Sequence, residues 1–281
     1  MYRFLFLLLA VLCLAACATP GTVMPQDSTV PLTTSDAPVG NIDFCGITLR
    51  GDTTMLHINM TDDVVEVDAE GELENTWHSQ ELTEELCDQQ IHKLSGLTEL
   101  RSVTLGCQHT ACAYGAQENT MLVIFSALPR LEKLSLWGGS WDLQILADYP
   151  ALEELHILHR DLQDLPAVHA RTLYLTSCTG ISDDLLSQWP GLFCLYLDQC
   201  QLPDSLQAWT DHPTLTVLRI YVPGDYALVD STYSGELPIV LSASDPEIPQ
   251  GVNLPYTKEE ILAFLRKSPE AKIEFQISMD P

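Results

Sequence analysis

The sequence predicts an α/β solenoid in which short parallel strands stack side by side, each followed by a helical or 3₁₀ return. Three observations predict it. Four stretches share the form Pro-x-Leu-x-x-Leu-x-Leu/Ile: Pro129 to Leu136, Pro150 to Ile157, Pro190 to Leu197 and Pro213 to Ile220. Two more, Leu100 to Leu105 and Ala170 to Leu175, keep the last two apolar places. Counted from the middle apolar residue, the anchors Val103, Leu134, Leu155, Leu173, Leu195 and Leu218 lie 31, 21, 18, 22 and 23 residues apart. Apart from the first gap, one strand and one return fill that period, and units of this kind bury their apolar side only by stacking.

The repeats span residues 94–222 and resemble the leucine-rich-repeat family. The run from Leu173 to Cys200 fits best, with Leu173, Leu175, Cys178, Ile181, Asp183, Leu186 and Cys200 on the places of the cysteine-containing subtype. Gly139 and Arg160 stand where other repeats would carry Cys or Asn. The resemblance implies a solenoid with strands on a concave face. It also implies that Cys178 and Cys200 are buried thiols bonded to backbone, not a bridge.

Before the repeats come a leader, a tether and a cap. Residues 1–16 read as a signal peptide, with a short basic start and an apolar run from Phe4 to Leu14. That run is shorter than the roughly 20 residues a spanning helix needs. Leu14-Ala15-Ala16-Cys17 resembles a bacterial lipobox, which implies lipidation of Cys17 and, with Ala18 following, sorting to an outer membrane where the host has two. Residues 17–40 are rich in Pro, Thr and Ser and read as a disordered tether. Residues 41–93 form an N-terminal cap, with strands over Ile47 to Leu49, Leu56 to Met60 and Val65 to Val67 and a helix over Ser79 to Lys93. Phe44-x-x-Ile47-x-Leu49 follows the repeat spacing and is expected as an extra first strand.

The long gap between Val103 and Leu134 is assigned to a loop over Cys107 to Gln117. Asp142 to Tyr149 and Ser182 to Trp189 are read as helical or 3₁₀ returns, each stopped by the Pro that feeds the next strand. After Tyr221 the period ends. Residues 223–281 form an α+β C-terminal cap, with a strand over Leu237 to Leu241, a helix from the capping box Thr257-Lys-Glu-Glu260 to Lys267, and a last strand over Lys272 to Ser278.

The chain carries 39 acidic and 13 basic residues, a net charge of −26. Loss of residues 1–16 would remove Arg3 alone, leaving twelve basic against 39 acidic residues, or −27. Such a chain repels nucleic acid and anionic headgroups and steers in a cationic partner. Seven of the nine cysteines lie beyond Cys17, an odd number, so at least one stays unpaired or pairs between chains. Cys107-x-His109-x-x-Cys112 offers too few ligands for a closed zinc site and reads as a disulfide or a pair of loop thiols. Gly138-Gly-Ser140-Trp-Asp142 lacks the last Gly of a nucleophile elbow and reads as a turn. Arg50-Gly51-Asp52 spells an adhesion tripeptide and reads as a turn as well. Phosphate loops, zinc-protease helices and dinucleotide fingerprints are missing from the sequence, so no cofactor is expected.

Register supplies the candidate site. Side chains between and just after the strand leucines point away from the core, which places Trp137, His156, Tyr174, Tyr196, Asp198, Arg219 and Tyr221 on the concave sheet face. Most of these are residue types that dominate binding hot spots. The expected function is a membrane-anchored, non-enzymatic scaffold binding a protein, peptide or glycan there. The alternatives are an envelope enzyme with a thiol-dependent site in the caps or the Cys107–Cys112 loop, and a purely structural envelope lipoprotein.

Overall fold

The computed structural model describes residues 40–44, 46–60, 65–69, 90–107, 115–149, 152–163, 165–182, 184, 187–224 and 226–277. The expected signal peptide, Cys17, nearly all of the tether, Cys45, Cys87, Cys112 and most of the helix read over Ser79 to Lys93 lie outside the described residues.

The strands are β1 (Ile42–Phe44), β2 (Ile47–Leu49), β3 (Met55–Met60), β4 (Val65–Ala69), β5 (Ser102–Cys107), β6 (Lys133–Gly138), β7 (Glu154–Leu158), β8 (Thr172–Thr176), β9 (Cys194–Asp198), β10 (Val217–Val222), β11 (Ile239–Ser242) and β12 (Lys272–Ile277). Ten of them form one sheet in the order β11-β12-β10-β9-β8-β7-β6-β5-β3-β4. From β3 to β12 every pairing is parallel, and the flanking strands β4 and β11 run antiparallel. This is the α/β leucine-rich-repeat solenoid that the spacing predicts.

In-register pairing puts like residues opposite like. Leu56, Val103, Leu134, Leu155, Leu173, Leu195, Leu218 and Ile273 form one apolar column across the sheet, and each is 0% exposed. Burying a Leu or Val side chain contributes about 1.5–3 kcal/mol, so the column is the main cohesive element of the stack. A second device recurs at each strand entry, where one carbonyl accepts two amides of the next repeat. Arg101 O accepts from Glu132 and Lys133, Glu132 O from Glu153 and Glu154, and Arg171 O from Phe193 and Cys194.

Three sequence expectations need correction. Phe44 to Leu49 does not add a strand to the solenoid: β1 and β2 form their own antiparallel hairpin around Gly46, whose φ is +79°. The extra first strand is β3, whose Leu56 and Ile58 pair with Val103 and Leu105 and whose entry carbonyl, Thr54 O, accepts from Arg101 and Ser102. The surplus after β5 is not all loop, because residues 115–117 begin the helix α1 (Gly115–Ser126). That helix buries Met121, Leu122 and Phe125, and Tyr149 Oη donates to Leu122 O at 2.8 Å. Nor does the sheet end at β10: β12 joins it in parallel register 50 residues later.

The returns vary in form. Leu143–Asp148 is a 3₁₀ helix capped by the Asp142 carboxylate, which accepts from Gln144 N at 3.1 Å. The return from residue 159 to 171 contains no helix among its described residues, and α2 (Gln207–Asp211) is a single short turn. In the C-terminal cap, α3 (Lys258–Arg266) starts at the full capping box: Thr257 accepts from Glu260 N and Glu260 from Thr257 N. Glu260 also accepts from Leu206 N at 3.2 Å, and Lys267 Nζ donates to Trp209 O and His212 O at 2.9 and 2.7 Å. These bonds tie α3 to the last return.

Candidate functional site: the outward face of the sheet

Apolar residues of each strand point into the core, so the alternate residues make the opposite face. Along its middle row lie His57, Thr104, Ser135, His156, Tyr174, Tyr196, Arg219 and Glu274, each paired with the next. Beside it run Gly106, Trp137, Leu158, Thr176, Asp198, Tyr221 and Gln276. Every candidate residue named from the sequence stands where the register argument places it, and each is half-buried.

What the rows do is more specific than their placement. Strands lie about 4.8 Å apart, so aromatic rings in the same place on adjacent strands stack. His156 and Tyr174 have centroids 3.9 Å apart at 26°, and Tyr174 and Tyr196 4.0 Å apart at 23°. The Arg219 guanidinium carbon then sits 4.6 Å above the Tyr196 ring, and Arg219 forms an ion pair with Glu274, which also pairs with Lys272. At the other end Lys133 pairs with Glu154 at 3.0 Å. The result is one continuous ladder over β7, β8, β9, β10 and β12, with ring faces turned on each other and edges turned outward.

Trp137 belongs to a separate contact. A Cβ on Gly106 would lie 2.1 Å from the indole, so Gly106 is the space into which Trp137 folds, and His57 meets it edge-on at 6.3 Å. Burial lowers the pKa of His156, with the Glu154 carboxylate opposing the shift, so the ring is neutral at pH 7. Burial, and then the neighbouring Tyr174 hydroxyl, raises that of Tyr196. The ladder is therefore uncharged until Arg219.

Sequence reasoning missed Glu274, Lys272 and Gln276, because β12 lacks the Pro-x-Leu lead. Its Ile273-x-Phe275 spacing was the available signal. Cys194, which precedes the strand leucine of β9, was also passed over; it is free, on this face, and 7% exposed.

Past the strand ends the turns stack too. Gly138, His159, Ser177 and Gln199 occupy equivalent places, all with φ between +51° and +62°. The next residues bond back to the preceding repeat. Cys178 Sγ donates to Ile157 O and Cys200 Sγ to Leu175 O, both at 3.3 Å, as the family resemblance implies for these thiols. Arg160 fills the same place with a longer reach, its guanidinium donating to Gly139 O and to Trp141 O. Gly138 and Gly139, with φ of +62° and +67°, make the turn expected there. Arg50 and Asp52 pair with each other at 2.7 Å, which occupies both charged ends of the tripeptide.

The thiols give little support to a thiol-dependent site. Cys107 is disulfide-bonded, and its partner lies outside the described residues. Cys178, Cys194 and Cys200 are buried. Burial pushes the Cys194 thiol up to about 11, and contact with Cys178, then burial, raises Cys200. Among the described residues, groups of three or more His, Cys, Asp or Glu able to hold a metal are absent, and His159 lies beyond the end of β7 from His156. No helix among them is long and apolar enough to cross a membrane.

No family model matches the chain, and a comparison with curated proteins finds no match. Among solved structures, an internalin from Listeria monocytogenes is similar over 46% of this chain and 43% of its own, at 18% identity and a TM-score of 0.32. TLR13 in a complex with ssRNA13 is similar over 46% of this chain and 17% of its own, at 19% identity and a TM-score of 0.27. The chain thus spans less than half the length of either. The assignment of the fold rests on the strand register described above.

Proposed function

We propose that the chain is a lipid-anchored scaffold of a bacterial cell envelope that binds a protein, or a peptide or glycan, on the outward face of its sheet. The observation that carries this reading is the ladder from His156 to Arg219. Mutual stacking fixes its rings, so a partner meets a rigid amphipathic strip and little rotamer entropy is lost on docking. Covering the sheet and binding a partner are not competing roles for such a strip, since the rings that shield the strands also present ordered edges and hydroxyls. The net charge of −26 opposes nucleic acid as the ligand. Anchoring at Cys17 and outer-membrane residence rest on the lipobox resemblance.

A photo-crosslinking residue tests the face in place. Introduced at Ser135 or Thr176, which flank the ladder, it is expected to capture a defined partner in the native envelope. At Val123, 53% exposed on α1, it is expected to capture none. Adducts from Val123 alone, or from no position, would sink the reading.

A further inference from the structure

We propose that the β12 end of this face, where Asp198, Tyr221 and Gln276 stand side by side above a cleft, receives a lysine or arginine side chain from a peptide segment of a protein partner. This rests on the outward face being the binding surface. The three residues are in register across β9, β10 and β12. The cleft is lined by Arg219, Tyr221, Pro238, Glu274 and Gln276 and holds about 120 Å³. That is room for one side chain and well below the roughly 300–1,000 Å³ of a small-molecule site.

Two observations fix the chemistry of the occupant. Asp198 Oδ1 and Gln276 Oε1 are buried and have no hydrogen-bond partner among the described residues. A buried acceptor left unpaired is costly, and what satisfies an acceptor is a donor. Charge points the same way. On the outward face of β5 to β10 and β12 the charged residues are Lys133, Glu154, Asp198, Arg219, Lys272 and Glu274. Lys133 pairs with Glu154, and both Arg219 and Lys272 pair with Glu274. Asp198 alone in that set lacks a partner of opposite sign. An anionic occupant would leave both orphan acceptors unsatisfied and would approach a chain of charge −26. A basic side chain supplies the missing donors and the missing charge together.

Panning a phage-displayed random peptide library on the full-length chain tests this. Enriched peptides are expected to share a Lys or Arg at a fixed position. Asp198→Asn is expected to weaken the selected peptides by about tenfold, as loss of one charged hydrogen bond implies, and Gln276→Leu to weaken them in the same direction. Asp245→Asn removes the same charge from an exposed loop and is expected to leave binding within about twofold. Thermal melts identify any variant that fails to fold, and the other one then decides. Enriched peptides without a fixed basic residue, or with a fixed acidic one, overturn the cleft proposal while the binding face stands. So does equal weakening by Asp198→Asn and Asp245→Asn. Unchanged panning on a Ser135→Arg, Thr176→Arg double variant, or no enrichment at all, overturns the face itself and the cleft with it.

Discussion

Gly138 and His159 hold the same place at the ends of successive strands, with φ of +62° and +57°, yet their surroundings differ. A Cβ on Gly138 would lie 1.8 Å from Cys107 O, a backbone atom that cannot rotate away. His159 is exposed and carries its side chain without obstruction. Gly138→Ala is therefore expected to cost about 3 kcal/mol, from the left-handed backbone and the collision together. His159→Gly is expected to be neutral or to gain up to about 1 kcal/mol. Urea unfolding of the two variants checks the contrast, and equal small shifts would show that the turn yields. At this scale the sequence was informative wherever alternation fixes direction. Tyr174 and Tyr196 had to face outward once Leu173, Leu175, Leu195 and Leu197 faced in. It was silent where a contact depends on a residue far along the chain, as for Arg219 with Glu274. The bonds of Arg160 to Gly139 O and Trp141 O were hidden for another reason, since its residue type departs from the repeat.

Elements were legible in proportion to how local their causes are. The capping box of α3 could be read directly because Thr257 and Glu260 are one turn apart. The parallel pairing of β3 with β5 could not, since β3 carries alternation without the Pro-x-Leu lead and the hairpin of β1 and β2 mimics the repeat spacing more closely. Glu260 also does more than its local motif implies, because it joins α3 to Leu206 N of the preceding return. The Thr257 hydroxyl first, then the Ser205 side chain and the backbone amides, hold its carboxyl at about 2, below the 4.5 of a free glutamate. A carboxyl depressed in the folded state contributes its stability above the unfolded pKa and loses it as pH falls through the folded one. Glu260→Gln is thus expected to cost about 1 kcal/mol at pH 7, a figure discounted for solvent screening of a partly exposed group. The gap should close between pH 4.5 and about 2. Denaturant midpoints of both proteins at neutral and acid pH measure it, and a gap unchanged by acid would mean that the carboxylate charge plays no part.

For the whole molecule, the governing fact is a strongly acidic solenoid whose two ends are closed by antiparallel strands. The lateral rows of β3 to β12 would otherwise leave open edges at both ends, where further strands of any chain could add. Strands β4 and β11 take those places, so the surface offered to a partner is the face and not an edge. Charge then constrains how such a molecule stays at a membrane. With twelve basic against 39 acidic residues after the proposed cleavage, anionic headgroups repel it, and no polybasic patch helps an acyl chain hold. Each lipid methylene buried contributes about 0.8 kcal/mol, and one chain alone gives only marginal binding, so residence would depend on the full lipid at Cys17. Cys17→Ser is therefore expected to lose labelling by a fatty-acid analogue and to move entirely to the soluble fraction at low and high salt alike. A residue of protein released only by salt would reveal an electrostatic contact that the charge forbids, and continued labelling would place the lipid elsewhere or remove it from the account.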